Sequence, residues 1–443
     1  MKKILLLVFP AGALLAVLFW YGNSVDSPVG SLFSDQAGLL LALGRLAGIV
    51  GALGVMSQLL LVSRAKWLEP LFGLDRLTRL HHFNGLIIPF ALLIHPPLIV
   101  WSHALQNGAG FFSQYLAILK WDDILPAAAG ETLILTAVFL SLPFTRRRLS
   151  YEAWHSVHLL AYAGLAFAIG HQLELGGDLA AELRYFAWTW YGLLAFTGVT
   201  VLWYRLLRPL WFYKKHGFVV DRTVMETPDI MSVYIKGNGL ENFTVEPGQF
   251  ALLRFWAPGF KLQAHPFSFS RAADGKELRF SIKKLGDFTA KLHAELKPGT
   301  PLLIDGPHGA FTAARMRTDK ALLVAGGIGI TPLRALAEQL AARKIESVLV
   351  FSNRGRKDIP FEKELAELEK TGAFRTVHVL SEESEWPGEK GRVDAERLKR
   401  LVPDFAERDA FLCGPPPMMA ALNAGLRRLG LPKKQVHFEA FSL

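Results

Sequence analysis

Hydrophobic positions along this chain fall into two regimes. In the first half they run together without a clear period, in six apolar stretches at about 4–20, 37–62, 80–103, 128–144, 152–173 and 185–207. Most reach the roughly 17 residues that a helix needs to cross a hydrocarbon core. From about residue 213 the pattern shortens to alternating runs at 217–224, 231–236, 250–256, 278–283 and 302–305, with turn residues between them. Period-two alternation punctuated in this way predicts a small antiparallel β-barrel. After a linker at 312–319, apolar strands at 321–325, 347–352 and 410–413 alternate with helical patterns, the first helix ending near 343. That order predicts an α/β domain with a parallel sheet. The expected architecture is a multi-domain membrane protein: a six-helix transmembrane bundle over 1–210, an antiparallel β-barrel domain over 213–312, and an α/β parallel-sheet domain over 319–443.

Charge sharpens the division. Residues 1–210 hold only 14 of the 49 Lys/Arg and 11 of the 39 Asp/Glu, although mean hydropathy over the whole chain is just +0.26. The basic residues of the first half cluster at Lys2 and Lys3, at Arg64, Lys66, Arg76 and Arg79, at Arg146, Arg147 and Arg148, and around Arg205, Arg208, Lys214 and Lys215. The alternate loops carry acids instead: Asp26 and Asp35 in 21–36, then Glu174, Asp178 and Glu182 in 174–183. The positive-inside rule then places both termini in the cytoplasm of a cell (inner or plasma) membrane. Read instead as a signal peptide, residues 1–20 would leave the later spans in the same orientation. Because much of the basic surplus sits at membrane flanks, the pI of about 9.6 does not argue for nucleic acid as a partner. The single cysteine, Cys413, excludes a disulfide framework and a four-cysteine iron–sulfur cluster.

Four histidines stand out in the apolar half: His81 and His95 on the third stretch, His158 and His171 on the fifth. The pairs are separated by 14 and 13 residues, about 20 Å along a helix, which fits within a hydrocarbon core of roughly 30 Å. Ionisable groups at that depth are costly and usually functional. Two such helices have the spacing to clamp two stacked haems, each iron held by one imidazole from each helix. His81 and His158 would serve the cytoplasmic side, His95 and His171 the outer side. His82 and His155 remain alternatives for the inner ligands. A 14-residue step returns to within about 40° of one helical face, whereas 13 residues miss by about 140°. The second pair therefore calls for a bend or π-bulge near Gly164 or Gly170, or for haems approached from different sides. Arg45, a third of the way into the second span, suits a haem propionate or an acceptor, with snorkelling to the interface as the plainer alternative.

The soluble half holds two segments suited to a flavin. His265, Pro266, Phe267 and Ser268 offer an aromatic wall and donors to its ring; Lys283, Gly286, Asp287, Phe288 and Thr289, opening a helix, offer small residues and backbone N–H groups to its pyrophosphate. Further on, Gly326, Gly327, Gly329, Thr331 and Pro332 form a glycine-rich turn between a strand and a helix, fit for a nicotinamide dinucleotide although the spacing is not G-x-G-x-x-G. Arg354 lies in a basic loop after the next strand, suited to the 2′-phosphate of NADPH or simply solvated, which leaves NADH as the other donor. Cys413, followed by Gly414 and Pro415, ends a strand where a ligand crevice opens, against the nicotinamide or merely buried.

These motifs together resemble the ferric reductase / NADPH oxidase superfamily over nearly the whole chain: the paired histidines, the segment 151–158, Gly44 with Arg45, then His265–Ser268, 286–289, 305–307, 325–332 and 413–416. The later motifs are shared with ferredoxin reductase-like flavoproteins in general. The resemblance implies that NAD(P)H reduces FAD, which passes single electrons through two b-type haems to a small-molecule acceptor outside, either oxygen or a ferric chelate. It also implies an aromatic residue against the flavin near the C-terminus, Phe441, with Phe438 as the alternative. In the animal oxidases a further histidine lines the oxygen site; here that position is Ile99, which weighs against oxygen. No obligatory regulatory subunit is expected, and membrane lipid is the only large partner. Competing readings are a membrane-anchored flavoprotein reductase feeding a quinone or partner protein, and a histidine-lined proton or ion pathway.

Overall fold

A long, strongly apolar helix has little polar face to turn to water, and six such helices lie among the described residues up to 202. In the computed structural model, which describes residues 2–26, 31–174, 178–179, 184–260 and 263–438, these are α1 (Lys2–Val25), α2 (Gln36–Val62), α3 (Leu74–Asn107), α4 (Ile124–Ser141), α5 (Tyr151–Glu174) and α6 (Tyr185–Leu202). Among the described residues, six helices are long and apolar enough to cross a membrane. Their exposed side chains include Phe90, Trp101, Phe139, Trp188 and Val199, as expected where lipid is the solvent. α1, α2 and α6 share a core of Trp20, Ala42, Ile49, Leu53, Trp190 and Leu193. α4 and α5 meet at two glycines: a Cβ on Gly130 would lie 2.5 Å from the Gly164 carbonyl oxygen, and one on Gly164 would lie 2.6 Å from that of Gly130. Only the missing side chains permit that approach.

The chain divides into two compact units, residues 1–68 with 76–202, and residues 69–75 with 203–443. The short segment between α2 and α3 belongs to the second unit because Glu69 is buried there, its Oε1 accepting the Gly309 N–H at 2.5 Å. A π-helical turn, Trp203–Leu207, leads into α7 (Arg208–His216), which Gly217 ends in the left-handed conformation.

The second unit begins with six antiparallel strands: β1 (Val219–Thr227), β2 (Ile230–Lys236), β3 (Phe250–Phe255), β4 (His265–Ser268), β5 (Leu278–Lys283) and β6 (Leu302–His308). They form two three-stranded sheets, β1-β2-β5 and β4-β3-β6, linked by bridges at Val219–Pro301 and Phe269–Phe280. The inward residues of both, among them Phe218, Val233, Leu253, Phe255, Phe280 and Ile304, fill one core. The barrel expected from the alternation is thus a pair of sheets wrapped on a shared interior. α8 (Asp287–Glu295) follows β5.

The last part is a doubly wound sheet of β7 (Lys320–Gly326), β8 (Glu346–Asn353), β9 (Phe374–Leu380), β10 (Glu389–Lys390), β11 (Asp409–Cys413) and β12 (Val436–Phe438), in the order β10-β9-β8-β7-β11-β12 with every pairing parallel. Around it run α9 (Ile330–Ala342), α10 (Glu362–Glu369), α11 (Ala395–Leu401) and α12 (Pro416–Arg428). Alternate residues of each strand enter different cores: Leu323, Leu349 and Phe411 one, Leu322, Val348 and Leu412 the other. A sheet buried on both faces reads as a continuous apolar run, which is how 321–325 reads.

Candidate functional site

In the first unit, α3 and α5 bring the four histidines together as two facing pairs. The ring centroids of His81 and His158 lie 6.1 Å apart, and those of His95 and His171 lie 6.0 Å apart. α5 is one uninterrupted helix, without a π segment near Gly164 or Gly170, and the rings meet nonetheless. Of the two alternatives, the His82 ring lies tilted beside that of His81 on its own helix, and the His155 ring lies tilted beside Trp154.

Hydrogen bonds indicate which ring nitrogen carries the proton in three of the four. His95 Nδ1 lies 2.7 Å from the Gly44 carbonyl oxygen and His81 Nδ1 3.4 Å from that of Gln58. A carbonyl only accepts, so Nδ1 carries the proton in both. His158 Nδ1 lies 3.1 Å from Ser141 Oγ, whose own hydrogen goes to the Ala137 carbonyl, so this histidine also donates from Nδ1. A neutral ring protonated at Nδ1 carries its lone pair on Nε2, the form in which imidazole binds a metal, with the other nitrogen oriented as ligating histidines usually require. Nδ1 of His171 is buried with no partner. Two imidazole–metal bonds of about 2 Å each, with the two ring radii, span about 6 Å, so one metal fits between each pair. Among the described residues no cluster of three or more His, Cys, Asp or Glu could hold a metal ion. A metal between these pairs must bring its remaining ligands with it, as a porphyrin does.

Arg45 is engaged rather than free. Its Nε donates to Asp178 Oδ2 at 2.9 Å and its Nη2 pairs with Oδ1, which also accepts from Asn23 Nδ2 at 3.1 Å. Asp178 is buried. A cation in an apolar bundle calls for such a carboxylate. Its neighbour Gly44 supplies the carbonyl that orients His95, and packs against Ile99.

In the second unit the two segments expected to face a flavin meet. The His265 ring stacks on Phe288 at 3.8 Å between centroids. β4, carrying His265, Pro266, Phe267 and Ser268, pairs with β3, and Ser268 Oγ is buried without a partner, an orphan polar atom that suits a ligand such as a flavin ring. Thr289 Oγ1 accepts the N–H groups of Leu285 and Gly286 at 2.9 and 3.0 Å, so it shapes the turn and caps α8. Gly286 stands with open space where a Cβ would be, and Asp287 and Phe288 begin α8. Lys283 pairs with Asp229 at 3.1 Å, and its Nζ lies 4.0 Å from where a Cβ on Gly327 would sit.

Strand order locates the crevice of the doubly wound sheet. β8 to β10 extend to one side of β7 and β11 and β12 to the other, so the switch point falls between β7 and β11. At the carboxyl ends of these two strands lie Gly326 and Cys413, in register at Ala325. A Cβ on Gly329 would sit 2.2 Å from the Cys413 carbonyl oxygen, and one on Gly326 would sit 2.8 Å from Pro415 Cδ. Gly326 and Gly329 therefore form one packed floor with Cys413, Gly414 and Pro415, while Gly327 stays open, with only the Lys283 Nζ near it. Thr331 Oγ1 donates to the Ile328 carbonyl at 3.0 Å, and Thr331 and Pro332 are buried at the start of α9. Cys413 is buried. Arg354 is 80% exposed on its side chain, 3.8 Å from Glu382. Phe441 lies outside the described residues, and Phe438 ends β12 with its ring exposed.

Sequence reasoning missed the partners that hold these groups: Asp178 on Arg45, Asn23 on Asp178, Glu69 on Gly309, and an arginine–glutamate network around Ser270. Asp178 was visible only as a loop charge; the need of a half-buried arginine in an apolar span for a carboxylate was the available signal.

The two units define a membrane-spanning oxidoreductase with flavin and nicotinamide domains. Residues 47–169 match the family described as ferric reductase like transmembrane component, 219–312 match an FAD-binding domain, and 323–424 an oxidoreductase NAD-binding domain. The chain thus has the fused architecture of the ferric reductase / NADPH oxidase superfamily, and it is a multi-pass membrane protein. The membrane match stops just short of both Arg45 and His171. Similar proteins include flavohemoprotein A of Dictyostelium discoideum, 30% identical over 242 residues, with 51% of this chain and 59% of that protein covered. The glycine betaine monooxygenase reductase subunit of Pseudomonas aeruginosa is 29% identical over 239 residues, covering 52% and 65%. The chain thus spans less than two thirds of these curated relatives. Among solved structures, the flavohem-like FAD/NAD binding domain of nitric oxide dioxygenase from Vibrio cholerae is 24% identical with a TM-score of 0.46, covering 50% of this chain and 96% of that one.

Proposed function

We propose that this chain carries electrons across a membrane from cytoplasmic NAD(P)H to a small-molecule acceptor on the outer side, a ferric chelate or oxygen, FAD supplying the step from hydride to single electrons and two b-type haems the one-electron sites. The observation that supports this most is the pair of facing imidazole couples, 6.1 and 6.0 Å apart, with Nδ1 protons held by Gln58, Ser141 and Gly44. His81 and His158 would hold the inner haem, His95 and His171 the outer one. The basic flanks support cytoplasmic termini in a cell membrane.

In the second unit, His265, Pro266, Phe267 and Ser268 would face the flavin ring, and Lys283 and the turn Gly286–Asp287–Phe288–Thr289 its phosphates. Gly326, Gly327, Gly329, Thr331, Pro332, Gly414 and Pro415 would seat the nicotinamide nucleotide, with Cys413 beside the reacting ring and Arg354 at a 2′-phosphate. Phe441 would cover the flavin. Arg45, neutralised by Asp178, would act on the outer site by holding helix α2 and the Gly44 carbonyl in place.

The test is an anaerobic absorption spectrum of the detergent-purified chain before and after NADPH, for the parent and His95→Leu. The parent should show about two haems per chain, reduced by NADPH. His95→Leu should lose the outer one and acceptor reduction, yet keep flavin bleaching. Flavin bleaching with no haem signal in the parent would overturn the reading.

A further inference from the structure

Behind the flavin segment lies a cluster of charges that the proposed electron route does not use. Arg279 on β5 donates to both oxygens of Glu364 on α10, at 2.6 and 3.0 Å, and through Nη2 to the Ser270 carbonyl at 2.8 Å. Arg334 on α9 reaches the same Glu364 at 2.6 Å, and Glu338 at 2.6 Å. Glu338 in turn accepts the Ala272 N–H at 2.9 Å. Phe361 lies under the Arg279 guanidinium at 4.8 Å.

Three of these contacts, Arg279 with Glu364, Arg279 with Phe361 and Ala272 with Glu338, join the six-stranded lobe to the doubly wound lobe within the same compact unit, and the others brace those groups inside one lobe. Ser270 lies two residues beyond β4, the strand that carries His265 to Ser268. Arg334 lies on α9, the helix that rises from the Gly326–Gly329 turn.

Two buried guanidinium groups side by side are a poor way to gain stability. Burial, and repulsion from Arg279, lower the Arg334 guanidinium below its ordinary value. Nε of Arg279 and Nε of Arg334 are buried with no partner. Glu364 is the carboxylate they share. Burial would raise it, but hydrogen bonds from Arg279 and the charges of Arg334 and Arg271 hold it below the usual carboxylate range. Without it the two arginines repel, and the two lobes lose the group on which both converge.

We propose that Glu364 is a positioning residue for hydride transfer, setting the gap between the flavin-binding strand and the nucleotide-binding helix through Arg279 and Arg334. The proposal rests on the assignment of His265–Ser268 to the flavin and of the glycine turn to the nucleotide. The reaction served moves one hydride, with its electron pair, from the nicotinamide to the flavin, leaving oxidised nucleotide and reduced flavin. Hydride transfer is sensitive to separation, and a misplacement of about 1 Å can cost roughly 100-fold in rate.

The test compares the full-length parent, Glu364→Gln and Glu364→Asp in detergent. Bound FAD is counted by absorbance, flavin bleaching is followed by stopped flow with NADPH and its C4-deuterated form, and hydrogen exchange is read over 268–272 and 330–338. Glu364→Gln should keep its FAD yet bleach about 10- to 100-fold more slowly at saturating NADPH, with a changed isotope effect and little change in KM. Exchange should rise in both segments together, and Glu364→Asp should recover part of the rate. Bleaching within about twofold of the parent, or exchange rising in one segment alone, would overturn the proposal. Should Glu364→Gln lose its FAD, Arg334→Lys, which keeps the charge but removes the fork, is read by the same measures and against the same thresholds. A parent chain that binds no FAD defeats the flavin assignment instead, a separate outcome.

Discussion

Gly48 offers the sharpest test of the histidine arrangement. It lies one turn after Gly44 on α2, beneath the His95 ring, and a Cβ added there would come within 2.8 Å of His95 Nδ1 and 2.9 Å of Cε1. Carbon contacts settle at about 3.5 Å, so the two groups must part by about 0.6 Å in Gly48→Ala. The imidazole moves more easily than the helix backbone, and its retreat strains the 2.7 Å bond to the Gly44 carbonyl. A hydrogen bond of this kind contributes about 1 kcal/mol to stability. For metal affinity the effect is larger, because disturbing the group that orients a ligating histidine typically costs about 10- to 100-fold. The assay is haem per chain by pyridine haemochrome, followed over time during dilution. Gly48→Ala should shed one of two haems at least about tenfold faster than the parent. Gly51→Ala is the control: it meets Leu92 Cδ2 at the same 2.8 Å, on the same helix, with no histidine involved. Both substitutions favour the helix by up to about 1 kcal/mol, so helix propensity cannot explain a difference between them. Equal haem retention in Gly48→Ala and the parent, or equal loss in Gly51→Ala, would refute the assignment of His95.

Arg354→Ala should raise KM for NADPH by about 10- to 100-fold, the worth of a charge-assisted bond to a 2′-phosphate, and leave NADH unchanged; steady-state kinetics with both nucleotides decide it. Gly329→Ala places a methyl against the Cys413 carbonyl, a backbone atom that cannot swing aside; a loss of about 3 kcal/mol in the nucleotide lobe should appear as faster hydrogen exchange in β7 and β11, and parent-like exchange would speak against the packed floor. Burial pushes the Asp409 carboxyl up, but hydrogen bonds from His437, Arg317 and Thr318 hold it below its ordinary value of 3.8. A depressed carboxylate stabilises the fold above its unfolded pKa, and the contribution is lost as pH falls through the folded value. Asp409→Asn should therefore destabilise this lobe by about 2–3 kcal/mol at pH 7, with the deficit shrinking below about pH 3.8. A pH-independent deficit in thermal unfolding would contradict that account.

Much of the molecule was legible before any coordinates. The six spans emerge because a lipid-facing helix must be apolar all round, a signal too long and too uniform to mistake. The alternation at 231–236 and 278–283 marked β2 and β5 because each strand has one face in the core. The histidine pairs were legible because titratable groups are rare in such segments. Less legible was the geometry of His158 and His171: thirteen residues on a straight helix suggested opposite faces, yet both rings meet their partners across α3 and α5. Arg45 looked available to a ligand, and its carboxylate came from a loop 133 positions later in the chain.

The sequence by itself determined local matters: which segments are helices or strands, where the glycine turns fall, and which residue types could bind haem, flavin and nucleotide. Those follow from periodicity and side-chain chemistry within a few residues. Tertiary structure alone decided pairing. Strand order put the switch point between β7 and β11, and hydrogen bonds with Gly44, Gln58 and Ser141 put the proton on Nδ1 of His95, His81 and His158. The convergence of Arg279 and Arg334 on Glu364 is likewise a product of folding. Such contacts join positions far apart in the chain, and nothing in local spacing encodes which distant group a buried charge will find.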